Sequence, residues 1–314
     1  MSLEPRLAIF TNETENPVEI FNSGLVPPST EGWRIIGSGI VLLFLTALWT
    51  YMRYWSRKEI GRPFMLEDGL NLAAVIIFYG LVANNFVMVL VGGMGHHMYE
   101  LQPWHVVRLS KATYACQLLY AASMGLVKIS IIRMFMRIFF VRRFQIAGVI
   151  VMGFSIAWMI LTMLIGILIC QPIQMNWDPA TPGGRCGDQV AAFSSVGIID
   201  VINEFSMLLL PIPMIWKIHV HRRYKVLIGC MFGAGILTMI FGAVRLYEVL
   251  QVEFTDTAYT AVNVTTYSAV ECGVAIIVSS SPLLKPVSDK MFGRFLAKTE
   301  KLNQGPDWKE KETR

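Results

Sequence analysis

Five ionisable side chains stand where they are costly to keep: Lys128, Asp200, Glu204, Arg245 and Glu271 each interrupt a long apolar stretch. A charge at the middle of a bilayer costs roughly 2.5–3.5 kcal/mol on insertion scales, so such groups face a partner or a wet cavity. Asp200 and Glu204 are four residues apart and share one helix face. Lys128 is placed to neutralise Glu204, and Arg245 to reach Asp200 or Glu271. Three acids against two bases leave at least one carboxylate in surplus, and in a low-dielectric site the surplus acid is expected to hold a proton that it can donate. The chemistry this suggests is general acid catalysis on a lipophilic molecule. Asp200 or Glu204 would be the acid, Glu271 the complementary base, and Lys128 and Arg245 would tune them. The same ion pairs would equally serve to fix helix register.

Positioning these groups requires helices that cross a membrane. Seven apolar stretches run over 35–52, 70–91, 113–135, 146–169, 191–216, 226–250 and 262–284. Each approaches or exceeds the ~20 residues that carry a helix across hydrocarbon. Helices are required because lipid offers no partner to a free backbone amide or carbonyl. The expected fold class is therefore all-α, a seven-transmembrane helix bundle over residues 33–286, with a polar outer tail at 1–32 and a charged cytoplasmic tail at 287–314. At about 1.5 Å per residue, Asp200 and Glu271 lie ~15 Å from the outer surface, Glu204 and Lys128 ~20 Å, and Arg245 ~7 Å.

Charge sets the orientation. Of the 27 basic residues, 20 fall in the gaps after the first, third and fifth stretches, with the adjoining span end, or in the C-terminal tail. These include Arg53, Arg57, Arg133, Arg137, Lys217, Arg222 and Lys285. An excess of this kind marks the cytoplasmic face, which puts the N-terminus outside and the C-terminus inside. Charged residues make up 16% of the chain against 54% hydrophobic, a balance that excludes an ordinary soluble domain. The net charge of +5 comes from the cytoplasmic fringe and suits anionic lipid headgroups rather than nucleic acid. Arg53, Trp55 and Arg57 read as interfacial anchors. No secretory signal peptide is visible in the first 30 residues, so the first stretch is expected to act as an uncleaved anchor.

The extramembrane features are few. Asn12-Glu13-Thr14 is a glycosylation sequon on the outer tail, and Asn263-Val264-Thr265 is a second one close to the bilayer. Cys170 and Cys186 both face the oxidising side, and a bridge between them would be worth ~3 kcal/mol by chain entropy. Cys116 is a rival partner for either. Cys230 and Cys272 read as small buried residues. Asn84, Asn85, Gln117, Tyr120, Thr266 and Tyr267 lie in the outer halves of their spans and suggest a ligand cavity open to the outside, covered by a loop with His96, His97 and His105. Asn84 and Asn85 would equally serve as hydrogen-bonding glue between helices. The histidine spacing matches no metal-ligand pattern, so no metal and no cofactor is expected.

Several of these segments, taken in order, resemble a known family. Gly93-Met94-Gly95-His96-His97 resembles the first outer loop of the fungal rhodopsin-like integral membrane proteins. Lys128-Ile129-Ser130 with Arg137-Ile138-Phe139 resembles their third helix, and Cys170-Gln171-Pro172, Trp177-Asp178 and Cys186 their fourth-to-fifth loop. Pro211-Ile212-Pro213, Arg245, Glu271 and Pro282 fall at that family's later marks, as does the stretch from Arg57 to Asp68. In the family an Asp stands seven residues before Pro-x-Pro, where this chain has Glu204.

The resemblance implies a membrane protein encoded with a fungal secondary-metabolite pathway, or a receptor-like surface protein with a cytoplasmic signalling partner. It does not imply a retinal pigment, because no Lys lies in 262–284 to form the Schiff base. Nor does it imply an animal-type G-protein-coupled receptor, since the third stretch lacks the acidic-Arg-aromatic triplet and the seventh lacks Asn-Pro-x-x-Tyr. A transporter is disfavoured by the absence of an inverted repeat. The leading expectation is a multi-pass integral membrane protein that binds a lipophilic intermediate and promotes its isomerisation or cyclisation. The alternative is a sensor of an extracellular ligand.

Overall fold

The computed structural model describes residues 24–61, 63–178, 181–212 and 222–280. The sequon at Asn12 and the residues Arg62, Pro213, Lys217, Pro282 and Lys285 lie outside this set, as do most of the tail 1–32 and all of the tail 287–314. Among the described residues seven long helices follow one another: α1 (Thr30–Ile60), α2 (Leu66–Leu90), α3 (Pro103–Ile138), α4 (Arg142–Leu168), α5 (Gln189–Leu209), α6 (Arg222–Leu250) and α7 (Val262–Ser280). A helical turn, Thr257–Thr260, leads into α7. Among the described residues six helices are long and apolar enough to cross a membrane, namely α1 to α5 and the segment Thr257–Ser280.

Local chemistry carries the helices past their apolar stretches. At the start of α1 the Ser29 hydroxyl accepts from the Gly32 amide at 3.1 Å, an N-cap. At its end Gly61 takes φ +68° and donates its amide to the Arg57 and Lys58 carbonyls. Asp68 reaches back to the Met65 amide at 3.2 Å and starts α2. Pro103 opens α3, where its missing N–H is no loss, and the 36 residues of the helix span ~54 Å. Asp188 caps α5 through the Ala191 amide at 3.0 Å.

The helices form a ring in chain order that closes through α7 on α1, while α7 also packs on α2 and α3 across the middle. Phe78, Leu81, Met124, Ile132, Trp158 and Ile276 are fully buried inside the ring. Ile40, Phe44, Ile76, Ile150, Leu164 and Ile202 point outward, as lipid-facing side chains do.

One end of the bundle carries the disulfide Cys170–Cys186, which joins two short antiparallel strands, β1 (Cys170–Gln171) and β2 (Arg185–Cys186). Cys116 instead stays a buried thiol that donates to Asn85 Oδ1 at 3.5 Å. At this same end the loop after α2 clamps onto the start of α7. The Gly95 amide donates to the Ala258 carbonyl at 2.8 Å. Gly95 has φ +100°, and a Cβ there would stand 2.4 Å from Ser29 Oγ and 2.9 Å from the Gly32 nitrogen. Only glycine fits so close an approach. Next to it His97 Nδ1 meets Asp256 Oδ2 at 2.5 Å, the Met98 amide donates to Asp256 at 2.9 Å, and the His97 ring stacks on Tyr259 at 4.3 Å.

The opposite end corrects the reading of Arg53 and Arg57 as surface anchors. Both are buried. Arg53 donates to Asp68 Oδ1 at 2.9 Å and to the Ser279 carbonyl at 2.6 Å, linking α1, α2 and α7. Arg57 reaches Asp68 at 2.8 Å and Glu67 at 3.2 Å. Arg137 brings α3 in through Glu67 at 2.8 Å, and Asn71 donates to the Ser279 hydroxyl at 2.6 Å. Trp55 remains exposed, as an anchor should be.

Candidate functional site

Depth alone sets Lys128, Asp200, Glu204 and Glu271 at similar levels in three helices, α3, α5 and α7, and the fold turns all four, with Arg245 of α6, toward one another. Asp200 on α5 is the hub. Its Oδ1 is in direct contact with Lys128 Nζ on α3, and its Oδ2 accepts from Arg245 Nη2 on α6 at 2.7 Å. Arg245 also donates through Nε to Glu271 Oε2 on α7 at 2.7 Å. The Tyr120 hydroxyl of α3 lies 2.9 Å from Glu271 Oε2 and 3.2 Å from Asp200 Oδ2. Every member of this network is buried.

The expected pairing of Lys128 with Glu204 is therefore only the weaker half of what forms. Lys128 stands 3.9 Å from Glu204 Oε1 but touches Asp200. Helix rotation explains the difference, because Asp200 sits one turn nearer the level at which Arg245 enters and can be shared by both bases. Two aromatic faces complete the shell. Lys128 Nζ lies 4.5 Å above the Trp158 ring of α4, and the Arg245 guanidinium 5.1 Å from the Tyr120 ring. Trp158 itself is held by a hydrogen bond from its ring nitrogen to the Val196 carbonyl at 3.2 Å.

Two carboxylate oxygens, Glu204 Oε2 and Glu271 Oε1, are buried and have no hydrogen-bond partner among the described residues. Both approach Gly242 on α6, where a Cβ would lie 3.1 Å from each of them. In this arrangement the spare acceptor capacity of the cluster is gathered at one point. Buried acceptors without donors are costly, so this point is the least satisfied part of the ionic cluster.

The remaining candidates are placed elsewhere. Asn84 donates to the Ala112 carbonyl at 2.8 Å and Gln117 to the Thr162 carbonyl at 3.3 Å, so both join neighbouring helices rather than line a common cavity. Asn85 accepts from Cys116, which is also an α2–α3 tie. Tyr267 lies on α7 one turn before Glu271 and is half-buried. His97 belongs to the clamp at the disulfide end. There, burial pushes the Asp256 carboxyl up, but hydrogen bonds from His97 and the Met98 amide, with the His97 charge, outweigh it and hold the group below the ordinary aspartate value. His105 contacts the Val91 carbonyl at 2.9 Å and His96 the Pro27 carbonyl at 2.9 Å. No group of three or more His, Cys, Asp or Glu among the described residues could hold a metal ion. Asn263, the second sequon's asparagine, donates to Glu248 at 3.1 Å.

Sequence reasoning missed Trp158 and Gly242. Gly242 had a weak signal, since it precedes Arg245 by three residues and so shares a helix face with it. Trp158 had none. The arginine-rich end was also missed as a network, although Arg53 and Arg57, four apart, precede Glu67 and Asp68 across a short turn, which is the pattern of an antiparallel ionic contact.

Relatives carry names of two kinds. The chain is 24% identical over 282 residues to the polyenoic acids biosynthesis gene cluster protein Ba17b of Metarhizium anisopliae, covering 84% of this chain and 76% of that one. It is 23% identical over 174 residues to the satratoxin biosynthesis SC1 cluster protein 4 of Stachybotrys chartarum, covering 55% of this chain and 63% of the relative. It is also 21% identical over 252 residues to the receptor GIN3 of Arthrobotrys oligospora, covering 79% of this chain and 60% of the receptor. The chain thus spans less than two thirds of the length of both of these last two. No solved structure matches it significantly. The fungal rhodopsin domain matches residues 52–290, and with six apolar helices of spanning length the chain belongs to that family of multi-pass integral membrane proteins.

Proposed function

We propose that the chain is a seven-helix membrane domain, N-terminus outside and C-terminus in the cytoplasm, that binds a lipophilic intermediate of a fungal secondary-metabolite pathway and donates a proton to it. The 29 residues of α6 supply ~44 Å, enough for a seventh crossing. The basic excess supports the orientation, and the disulfide at the other end suits an oxidising compartment.

The observation that carries the reading is the pair of donor-free carboxylate oxygens beside Gly242. An acid there would protonate an epoxide, carbonyl or alkene, and the neighbouring carboxylate would take the proton back after rearrangement, so that no oxidant or reductant is consumed. The Trp158 and Tyr120 faces already hold Lys128 and Arg245, which leaves the developing cation to the carboxylates. Entry would come from the bilayer between α5 and α6, whose outward faces carry Ile202, Phe205, Leu237 and Ile240. Metabolite profiling of a deletion strain tests the idea. An isomer of the end product should accumulate, and complementation with Glu204→Gln or Glu271→Gln should fail to clear it. Full restoration by both variants would remove the acid role.

One observation favours a receptor instead. Arg137 is 41% exposed yet bonded to buried Glu67, so a partner at that end could pull directly on a network that joins four helices. Under this reading Arg137→Ala alters signalling output while ligand affinity stays constant. Affinity and output falling together would count against it.

A further inference from the structure

We propose that Glu204 and Glu271 hold a single alkali cation between them, in the space Gly242 leaves by carrying no side chain. The oxygens concerned are those without a protein donor among the described residues, Glu204 Oε2 and Glu271 Oε1. Their partner oxygens are already engaged. Glu271 Oε2 accepts from Arg245 at 2.7 Å and Tyr120 at 2.9 Å, and Glu204 Oε1 lies 3.9 Å from Lys128. The two spare oxygens stand 3.1 Å from the same point, the position of a Cβ on residue 242, so both border one small volume, one from α5 and one from α7.

Charge selects the occupant. Asp200, Glu204 and Glu271 oppose only Lys128 and Arg245, and one added positive charge balances the buried set. A divalent ion would overshoot and would need more protein ligands than converge here. Carboxylate oxygens are hard ligands and favour a hard ion such as sodium. A proton is the natural competitor. The titratable groups facing the pair are Lys128 and Tyr120 from α3, Asp200 from α5, Arg245 from α6 and Cys272 beside Glu271 on α7, while α4 presents Trp158. Where α1 and α2 meet α7, apolar Leu42 and Phe78 pack against Gly273. The site is the acid pair of the proposed chemistry, and the cation competes there with the proton that chemistry donates; the proposal needs no metabolite, so loss of the sodium effect alone leaves that chemistry standing.

The test uses the purified full-length chain in detergent, with thermal unfolding followed in sodium chloride and in choline chloride of equal ionic strength, at pH 8 and pH 6. Sodium should raise Tm saturably and choline should not, and the half-saturating sodium concentration should rise up to about tenfold per pH unit where protons compete. Glu204→Gln and Gly242→Ala should each abolish the sodium shift, the first by removing a ligand charge and the second by filling the space. Equal Tm in both salts at both pH values overturns the proposal. So does a pH effect without a sodium effect, which puts a proton there instead. A sodium shift that survives both substitutions overturns it as well, by placing the ion elsewhere.

Discussion

Arg53 and Asp68 meet with neither side chain exposed to solvent, the guanidinium donating from both Nε and Nη2 to the same carboxylate oxygen at 3.1 and 2.9 Å. This contact fastens the end of α1 to the first turn of α2. Through the Ser279 carbonyl it also reaches α7. Removing one partner leaves the other charge buried and uncompensated. Asp68→Ala is therefore expected to cost about 3–5 kcal/mol. Thermal unfolding in detergent measures it, and the double variant Arg53→Met/Asp68→Ala should be less damaged than Asp68→Ala alone. A double variant worse than the single would refute the pairing.

The hub position of Asp200 predicts an order of sensitivity within the buried cluster. Asp200→Asn weakens contacts to Lys128 and Arg245 together and should cost about 3 kcal/mol or more. Glu204→Gln removes surplus negative charge from a carboxylate held by one contact at 3.9 Å. In sodium-free buffer its Tm should match or exceed that of the unaltered chain. Equal losses for the two substitutions would mean that Asp200 is not shared as described.

Gly95→Ala tests the clamp at the disulfide end. The new Cβ meets Ser29 Oγ and the Gly32 nitrogen, at a backbone angle that side chains rarely adopt. Strain of this kind costs of order 1–3 kcal/mol. Limited proteolysis should then cut faster between α2 and α3, and an unchanged cleavage rate would show that the loop does not depend on this approach.

Acid should loosen the same clamp through Asp256. Its folded value lies below the ordinary aspartate range, so its contribution is complete above about pH 4 and is lost as pH falls through the lower folded value. At neutral pH Asp256→Asn should lower Tm relative to the unaltered chain. The gap should close in acid. A gap that stayed constant down to pH 3 would show that the carboxylate charge plays no part.

Much of this molecule is legible along the chain because hydrocarbon thickness is a ruler. Apolar run length set the helices, and counting residues from their ends put Lys128, Asp200, Glu204 and Glu271 near one level. Cys170 and Cys186 were candidate partners with Cys116 as a rival, and only the fold, which buries Cys116 against Asn85, decided between them. Depth says nothing of azimuth, however. Whether a side chain at a given level faces lipid, a neighbouring backbone or the bundle centre depends on how each helix is rotated, and packing against several neighbours decides that. For this reason Asn84 and Gln117, correct in depth, turned to backbone carbonyls on adjacent helices, and Asn85 to the Cys116 thiol. Arg53 and Arg57, whose composition suggested the lipid surface, turned inward to acids supplied after a short turn. The convergence of two unpartnered carboxylate oxygens on Gly242 is the furthest from sequence. A glycine carries no chemistry of its own, and the space beside it exists only once α5, α6 and α7 have closed around it.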